Sequence, residues 1–160
     1  MRWVLAIAAF LLCAYEGRRR SMKLKNRAAL LSEVLAMLNN FSIEIRCRSL
    51  TLDELLSGES GSFARLVLQK RADFGETGDI RSAWNAACEE LPKSREKTLL
   101  SEFGQSFGKT DKSGQLRLLE MYAAQIGALK DEAESSYRQK GGALSKIGML
   151  CGAAAAVLIL

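Results

Sequence analysis

The side chains that usually carry catalysis are sparse in this chain. None of its 160 residues is a histidine, which removes the group that most often acts as an acid or base near neutral pH. Adjacent acids occur at Glu89-Glu90 and Asp131-Glu132, and such pairs are typical of solvated helix faces. We therefore expect no enzymatic activity and no cofactor. The four cysteines have no spacing that fits a zinc site or a disulfide framework: Cys13, Cys47, Cys88 and Cys151.

One glycine-bearing segment in the second half of the chain predicts either a structural corner or a docking surface. Gly108 fits a helix stop, and Asp111 fits the cap of the next helix. Phe103 and Phe107 stand four residues apart, so both lie on one face of the preceding helix. A tight helix–helix corner explains all of these residues, and a partner-docking surface is the functional alternative. The candidate residues are Phe103, Gly104, Phe107, Gly108, Asp111 and Gln115.

A cluster of basic residues follows the first apolar segment. Residues 1–48 hold nine Lys and Arg against three acids, although the whole chain has a net charge of only +5. We interpret the cluster as a topology signal that keeps the following domain in the cytoplasm. Nucleic-acid binding would call for positive charge spread over a folded face with interleaved aromatic residues, so it is the weaker alternative. The cluster consists of Arg18, Arg19, Arg20, Lys23, Lys25 and Arg27.

Two uncharged segments, residues 3–15 and 147–160, point to the membrane. An unaided span needs about 20 apolar residues, so both segments are short. We interpret the first as a retained anchor because no small-x-small cleavage site follows it. In the second, small residues recur every four positions and favour close helix packing: Gly148, Gly152 and Ala156. The predicted organisation is a membrane segment at 1–17, a helical domain at 18–146 and a second membrane segment at 147–160.

Between these ends, apolar heptads predict two long helices. The spacing of four and three continues through Leu24, Ala28, Leu31, Leu35, Leu38, Ser42 and Ile45. A second series, interrupted by its one lysine, consists of Leu116, Leu119, Ala123, Ile126, Lys130, Ala133 and Tyr137. The two segments have similar lengths, which favours an antiparallel hairpin rooted in the membrane at both ends. Two ordinary core helices of a bundle are the alternative.

Shorter helices are predicted between the long ones, and no segment alternates with the period of a strand. Thr51 and Glu54 fit a capping box that opens a helix ending near Leu56. Three further helices are predicted at 63–74, from Asp79 to before Pro92, and at 93–107. The predicted fold is all-α: an antiparallel hairpin of long helices, shorter helices packed between them, and short apolar membrane helices at both ends.

The chain resembles the stage III sporulation protein AB family of endospore-forming bacteria along nearly its whole length. The resemblance rests on four features taken in order: the short apolar N-terminus, Ser42-Ile43-Glu44-Ile45, the corner from Phe103 to Gln115, and Lys146-Ile147-Gly148-x-Leu150-x-Gly152 before the apolar tail. It implies a mother-cell membrane protein in an assembly that links mother cell and forespore. The family is also similar to the cytoplasmic domain of inner-membrane platform proteins of type II secretion and type IV pilus machines.

The resemblance implies a non-enzymatic, membrane-anchored scaffold. Its implied partners are the family's cytoplasmic ATPase, stage III sporulation protein AA, and other membrane proteins of the assembly; the sequence leaves a homo-oligomer open. The alternative is a membrane-anchored helical receptor for a signal or ligand, which would need polar groups that converge inside the bundle. No such cluster stands out in the sequence.

Overall fold

The structure is a computed structural model that describes residues 2–48, 50–75, 79–143, 146–147, 150–151 and 153–154. Every regular element in these ranges is helical, and none is a strand, which confirms the all-α prediction. Most of the predicted C-terminal membrane segment, including Gly148, Gly152 and Ala156, lies outside the described residues. The described residues form six α-helices: α1 (Arg2–Cys47), α2 (Leu52–Ser57), α3 (Ser62–Asp73), α4 (Ile80–Glu90), α5 (Arg95–Ser106) and α6 (Lys112–Ser136).

The chain divides into two compact units. The central unit comprises Leu30–Leu129, and the terminal unit is formed from Met1–Ala29 and Lys130–Leu160. Helices α1 and α6 contribute residues to both units. At 46 residues, α1 is about 69 Å long.

Helix α1 buries a broader face than the predicted heptad seam. Ala28, Leu31, Leu38 and Ile45 are buried as expected, whereas Leu24, Leu35 and Ser42 are only half-buried. Three further residues complete the buried face: Val34, Met37 and Phe41. A stripe of this width is typical of a helix that faces the core of a globular bundle, while a coiled-coil seam is narrower.

Three positions of the predicted second seam are buried, whereas four are half-buried: Leu116, Ala123, Lys130 and Tyr137. Tyr122 and Leu129 are buried, while Ala123 and Lys130 lie beside them at the half-buried edge. The larger apolar side chains occupy the core, and Lys130 is free to pair with Glu134 at 3.1 Å. The lysine therefore does not interrupt the buried row, which consists of Leu119, Tyr122, Ile126, Leu129 and Ala133.

The short helices begin at side-chain caps, two of which were predicted. Thr51 and Glu54 form the expected capping box of α2, and Asp79 accepts a hydrogen bond from the Arg81 amide at the start of α4. Helix α3 begins after Gly61, which has no capping side chain. There Glu33 of α1 accepts a hydrogen bond from the Ser62 amide at 2.8 Å. This cap comes from 29 residues away, so no local pattern announces it.

In the terminal unit, α6 is followed by one turn of π-helix, Tyr137–Gly141. Gly141 is buried, and a Cβ added there would lie 2.7 Å from Cδ2 of Tyr137 and 3.4 Å from Oγ of Ser21. The missing side chain leaves room for the tyrosine ring and for α1. On α1, Gly17 is also buried. Small residues thus allow the two segments of this unit to approach closely.

One described helix is long and apolar enough to cross a membrane by length and composition. The candidate stretch lies within Phe10–Cys47 of α1, near the N-terminus. Core helices of soluble proteins and signal sequences meet the same criterion. The finding makes α1 a candidate membrane helix.

Candidate functional site

The predicted corner between α5 and α6 contains an aromatic cluster. The ring centroid of Phe103 lies 5.4 Å from that of Trp84, 5.2 Å from that of Phe107 and 5.5 Å from that of Tyr122. Phe41 of α1 lies 6.5 Å from Phe107. Phe103 and Phe107 are almost fully buried, so they hold helices together instead of facing a partner.

Gly104 lets the indole of Trp84 lie against α5. The Trp84 Nε1 donates a hydrogen bond of 2.7 Å to the carbonyl oxygen of Leu100, inside the core. A Cβ at position 104 would lie 2.6 Å from Nε1 and 2.9 Å from Cγ of Trp84. Both distances are too short for carbon contacts, so this close approach requires glycine.

Gly108 turns the chain after α5, as predicted. Its φ of 78° lies in the left-handed region, where glycine has no steric penalty. The preceding carbonyl, that of Phe107, accepts a hydrogen bond of 3.2 Å from Nη2 of Arg81. The guanidinium of α4 thereby satisfies a backbone group that the helix end leaves unpaired.

Asp111 caps α6, as predicted. Its Oδ1 accepts a hydrogen bond from the Gly114 amide at 3.1 Å, and its Oδ2 accepts one from the Ser113 hydroxyl at 2.7 Å. These bonds lower the pKa of the Asp111 carboxyl, and the bond from the Ser113 hydroxyl has the largest effect. Gln115 donates from its side chain to the carbonyl oxygen of Thr110 at 3.1 Å. The Asp111 carboxylate and the Gln115 side-chain amide thus each have a structural partner in the corner.

The structure therefore brings all six predicted corner residues together, but it uses them to build the corner. Asp111 is exposed and Gln115 is half-buried. Beside them lies a cleft of ≈ 320 Å³. A docking role for the corner stays a prediction. The cleft is lined by Leu50, Thr51, Leu52, Ile80, Arg81, Phe107, Gly108 and Gln115.

A second surface, which the sequence did not single out as a site, lies where α1 ends and α2 begins. We call it the α1–α2 groove. It has a volume of ≈ 300 Å³. Phe41 and Leu55 form an apolar floor, and Ile43 at the edge is 60% exposed. The groove is lined by Asn40, Phe41, Ile43, Glu44, Leu50, Glu54, Leu55, Gly58 and Glu59.

The charges of this groove are acidic. Glu54 is held by the Thr51 amide and hydroxyl at 2.8 and 2.9 Å, bonds that lower the pKa of its carboxyl. Glu59 accepts a hydrogen bond from Asn40 at 3.0 Å. Glu44 is exposed, and its carboxylate has no hydrogen bond or ion pair in the described part of the chain. The groove therefore combines one uncommitted carboxylate, two engaged ones and exposed apolar surface.

A sequence signal for the groove existed. Ile43 belongs to the stretch Ser42-Ile43-Glu44-Ile45 but stands outside the buried face of α1, which passes through Phe41 and Ile45. A single exposed apolar residue is common on protein surfaces, so Ile43 indicates a contact surface only together with the groove that it borders. By contrast, no local sequence pattern indicates that α1 and α2 meet at this groove.

The basic cluster lies on α1 in the terminal unit. Arg18, Arg19, Arg20, Lys23 and Lys25 are exposed, and Arg27 is half-buried. Glu16 pairs with Arg20 at 3.3 Å and with Arg19 at 3.7 Å. Exposed pairs of this kind leave most of the positive charge available. The role of the cluster in topology stays a prediction.

These features describe an all-helical protein whose long N-terminal helix is a candidate membrane helix. A family model described as stage III sporulation protein AB matches residues 2–160. The chain therefore belongs to the stage III sporulation protein AB family, which confirms the resemblance and gives it a role in sporulation. Comparison with curated proteins and with solved structures gave no match.

Proposed function

We propose that this chain is a non-enzymatic, membrane-anchored scaffold of a secretion-like sporulation assembly, and that its central unit docks the family's cytoplasmic ATPase, protein AA. The α1–α2 groove is the observation that carries the proposal. It combines an exposed isoleucine with an uncommitted carboxylate next to it. A buried apolar contact ringed by charge is the usual anatomy of a protein-docking site.

The first half of α1 supports the anchor. Four of its large apolar side chains are more than half exposed: Ile7, Leu11, Leu12 and Tyr15. Ile7, Leu11 and Tyr15 follow one another at intervals of four, so they form a row along one helix face. In water such a row is unfavourable, whereas in a bilayer it lies against lipid. The cationic cluster that follows supports a central unit that lies in the cytoplasm of the mother cell.

Contacts within the central unit support an antiparallel arrangement of the two long helices there. Arg46 near the end of α1 pairs with Glu120 at 3.1 Å, and Lys112 donates to the Arg46 carbonyl at 2.9 Å. Farther back on α1, Leu35 faces Gly127. Earlier residues of α1 therefore contact later residues of α6, so the two helices run in opposite directions. This is the pairing expected of a platform-like helical hairpin.

The chemistry of the groove defines the partner surface. Glu44 and Glu59 favour a cation, and Ile43 with the Phe41–Leu55 floor favours an apolar side chain. We infer that the ATPase presents an Arg or Lys beside an exposed apolar residue. Such mixed contacts give an interface its register and its on-rate as well as its affinity.

The test measures binding of purified ATPase to the full-length chain in detergent by interferometry. The double variant I43A/E44Q removes the exposed apolar group and the uncommitted charge. We expect a Kd at least about tenfold weaker, the change that follows when about 1.4 kcal/mol of interface energy is lost. The matched control M121A/E102Q removes another exposed apolar side chain and another exposed acid of the central unit and leaves the Kd unchanged.

The other possible outcomes show whether the ATPase docks at the α1–α2 groove, at the corner or not at all. If the natural chain does not bind the ATPase at all, this partner is wrong. If both double variants bind like the natural chain, the groove is not the docking surface. Loss of binding in Q115A with an unchanged I43A/E44Q variant would place docking at the corner instead.

A further inference from the structure

We propose that the exposed face of α1 at the start of the basic cluster is a binding site for the headgroup of an anionic phospholipid. The inference rests on the proposed membrane anchoring and adds the ligand class. The face is called the α1 stripe, and its residues line a shallow surface depression of ≈ 430 Å³. They are Tyr15, Arg18, Arg19, Met22, Lys23 and Asn26.

The spacing of the stripe puts all six side chains on one side of the helix. They follow each other at intervals of three, one, three, one and three residues, which repeats the period of an α-helix. The opposite side of α1 is occupied: Gly17 is buried, and Ser21 lies where α1 meets the π turn. The stripe therefore faces outward while the back of the helix is packed.

The charges of the stripe suit a phosphodiester. Arg18 and Lys23 have no ion pair among the described residues, and no acid lies on the stripe itself. Glu16, on the neighbouring side of the helix, pairs with Arg19 at 3.7 Å and with Arg20 at 3.3 Å. Arginine can bind two oxygens of one phosphate, and lysine adds a point charge.

The apolar members of the stripe favour a lipid over a free phosphate or an acidic protein. Met22 is 46% exposed between cations, and Tyr15 is 67% exposed at the junction with the apolar row that contains Ile7 and Leu11. A hydrated phosphate gains nothing from a methionine. A phospholipid, by contrast, places its phosphate beside the cations and its glycerol and acyl groups beside Met22 and Tyr15. Tyrosine is enriched at that level of membrane proteins.

The test measures which lipids stay bound to the full-length chain. The protein is reconstituted in bilayers of phosphatidylglycerol and phosphatidylcholine and extracted in mild detergent, and the retained lipids are quantified by mass spectrometry. We expect the natural chain to retain phosphatidylglycerol about tenfold above its share of the bilayer, as a cluster of surface cations would. The variant R18Q/R19Q/K23Q retains the two lipids in the bilayer ratio.

The matched control R65Q/R95Q/K109Q loses the same charge at exposed positions of the central unit and keeps the selectivity. The variant M22Q retains less phosphatidylglycerol per protein if Met22 contacts the acyl or glycerol groups. Unchanged retention would show that the stripe binds phosphate alone, which would overturn the lipid assignment. Equal retention of phosphatidylglycerol by the natural chain and the R18Q/R19Q/K23Q variant would also overturn it. The lipid assignment would also be overturned if the R18Q/R19Q/K23Q variant kept its phosphatidylglycerol but no longer bound an acidic protein.

A second measurement distinguishes failure of the lipid-site proposal from failure of the membrane-anchor proposal. Carbonate extraction of the reconstituted bilayers reports whether the chain is inserted. Release of the natural chain by carbonate contradicts the anchor and, with it, the lipid site. An inserted chain whose lipids match the bilayer ratio contradicts the lipid site alone.

Discussion

At the scale of single residues, Gly104 and Trp84 set how closely α4 and α5 pack. The indole ring is enclosed by Phe63 at 5.0 Å and Phe103 at 5.4 Å, centroid to centroid, and it is fixed by its hydrogen bond to Leu100. The position of the ring is therefore fixed by two aromatic neighbours and one hydrogen bond. Any atom added at position 104 must push the two helices apart.

We expect Gly104→Ala to destabilise the central unit by about 1–3 kcal/mol, the usual cost of overpacking a core. Denaturant unfolding of the full-length chain in detergent, followed by circular dichroism, measures the change. Gly127→Ala is the control, because a Cβ there would lie 4.0 Å from Cδ2 of Leu35, an ordinary contact. Alanine is the better helix former, so the control should gain up to about 1 kcal/mol. Equal behaviour of the two variants would contradict the role given to Gly104.

Asp111 makes the stability of the corner depend on acid. Its pKa in the folded chain lies below the ordinary value of 3.8, chiefly because Ser113 and Gly114 donate hydrogen bonds to the carboxylate. The stabilisation is therefore complete above about pH 3.8 and is lost as the pH falls through the lower, folded value. Arg117 acts in the same direction.

Asp111→Asn keeps a capping side chain but removes the titration. We expect the stability advantage of the natural chain over this variant to shrink as the pH is lowered below about 3.8. Glu54 also has a lowered pKa, so Glu54→Gln serves to subtract its part of the acid response. A constant difference between natural chain and Asp111→Asn at every pH would show that the charge of the carboxylate does not matter.

At the scale of elements, the π turn after α6 depends on one glycine. Gly141 is buried against Tyr137 and Ser21, whereas no atom lies within 4 Å of a Cβ added at the adjacent Gly142. The two neighbours thus differ only in their surroundings. π turns interrupt regular helices and commonly mark places under functional constraint.

Gly141→Ala should destabilise the terminal unit by about 1 kcal/mol or more, because the new methyl group overlaps the Tyr137 ring. Gly142→Ala should be neutral or stabilising. Thermal unfolding of both full-length variants in detergent measures the difference. Combining Gly141→Ala with Tyr137→Ala should recover part of the loss, since the overlap requires both groups. No recovery in the double variant would place the cause elsewhere.

The elements that depend on neighbouring residues could be predicted from the sequence. Thr51, Asp79, Gly108 and Asp111 act within a few positions of themselves, and each has its predicted local role. The bounds of the four short helices were within about two residues for the same reason. Local chemistry decides where a helix starts and stops.

Features that depend on distant contacts could not be predicted. Glu33 caps α3 from α1, and the Trp84 indole bonds to a carbonyl of the next helix. The heptad template missed Val34 because it is narrower than a bundle-facing stripe, and it placed Lys130 in the core one position away from Leu129. The α1–α2 groove needs two helices to meet, so its site could be described only from the fold.

At the scale of the whole molecule, the orientation of the central unit decides whether a cytoplasmic ATPase can reach it. We expect Ser60→Cys, at an exposed position of this unit, to be protected from a membrane-impermeant maleimide in intact cells and labelled once the membrane is broken. The exposed or half-buried native thiols, Cys13, Cys47 and Cys151, are replaced by serine. Labelling in intact cells would reverse the orientation and remove direct docking.

Cys88 can stay in that experiment. It is 1% exposed, and burial raises the pKa of its thiol to about 12, so almost no thiolate is available to react with maleimide. Unfolding in denaturant should expose and label it. A chain in which Ser60 is unchanged and the other three cysteines are replaced is therefore the blank. Labelling of that blank in the folded state would contradict the buried position of Cys88.

The buried indole at position 84 also gives this protein an optical signal of its own. The only other tryptophan is Trp3, so Trp3→Phe leaves a single emitter in the centre of the helical core. Its emission maximum should lie at short wavelength while the core is closed and shift to longer wavelength as water reaches the ring. ATPase docking at the α1–α2 groove that leaves the core intact should leave the emission colour unchanged. A colour shift on docking would report that the partner opens the bundle, in real time and without any attached dye.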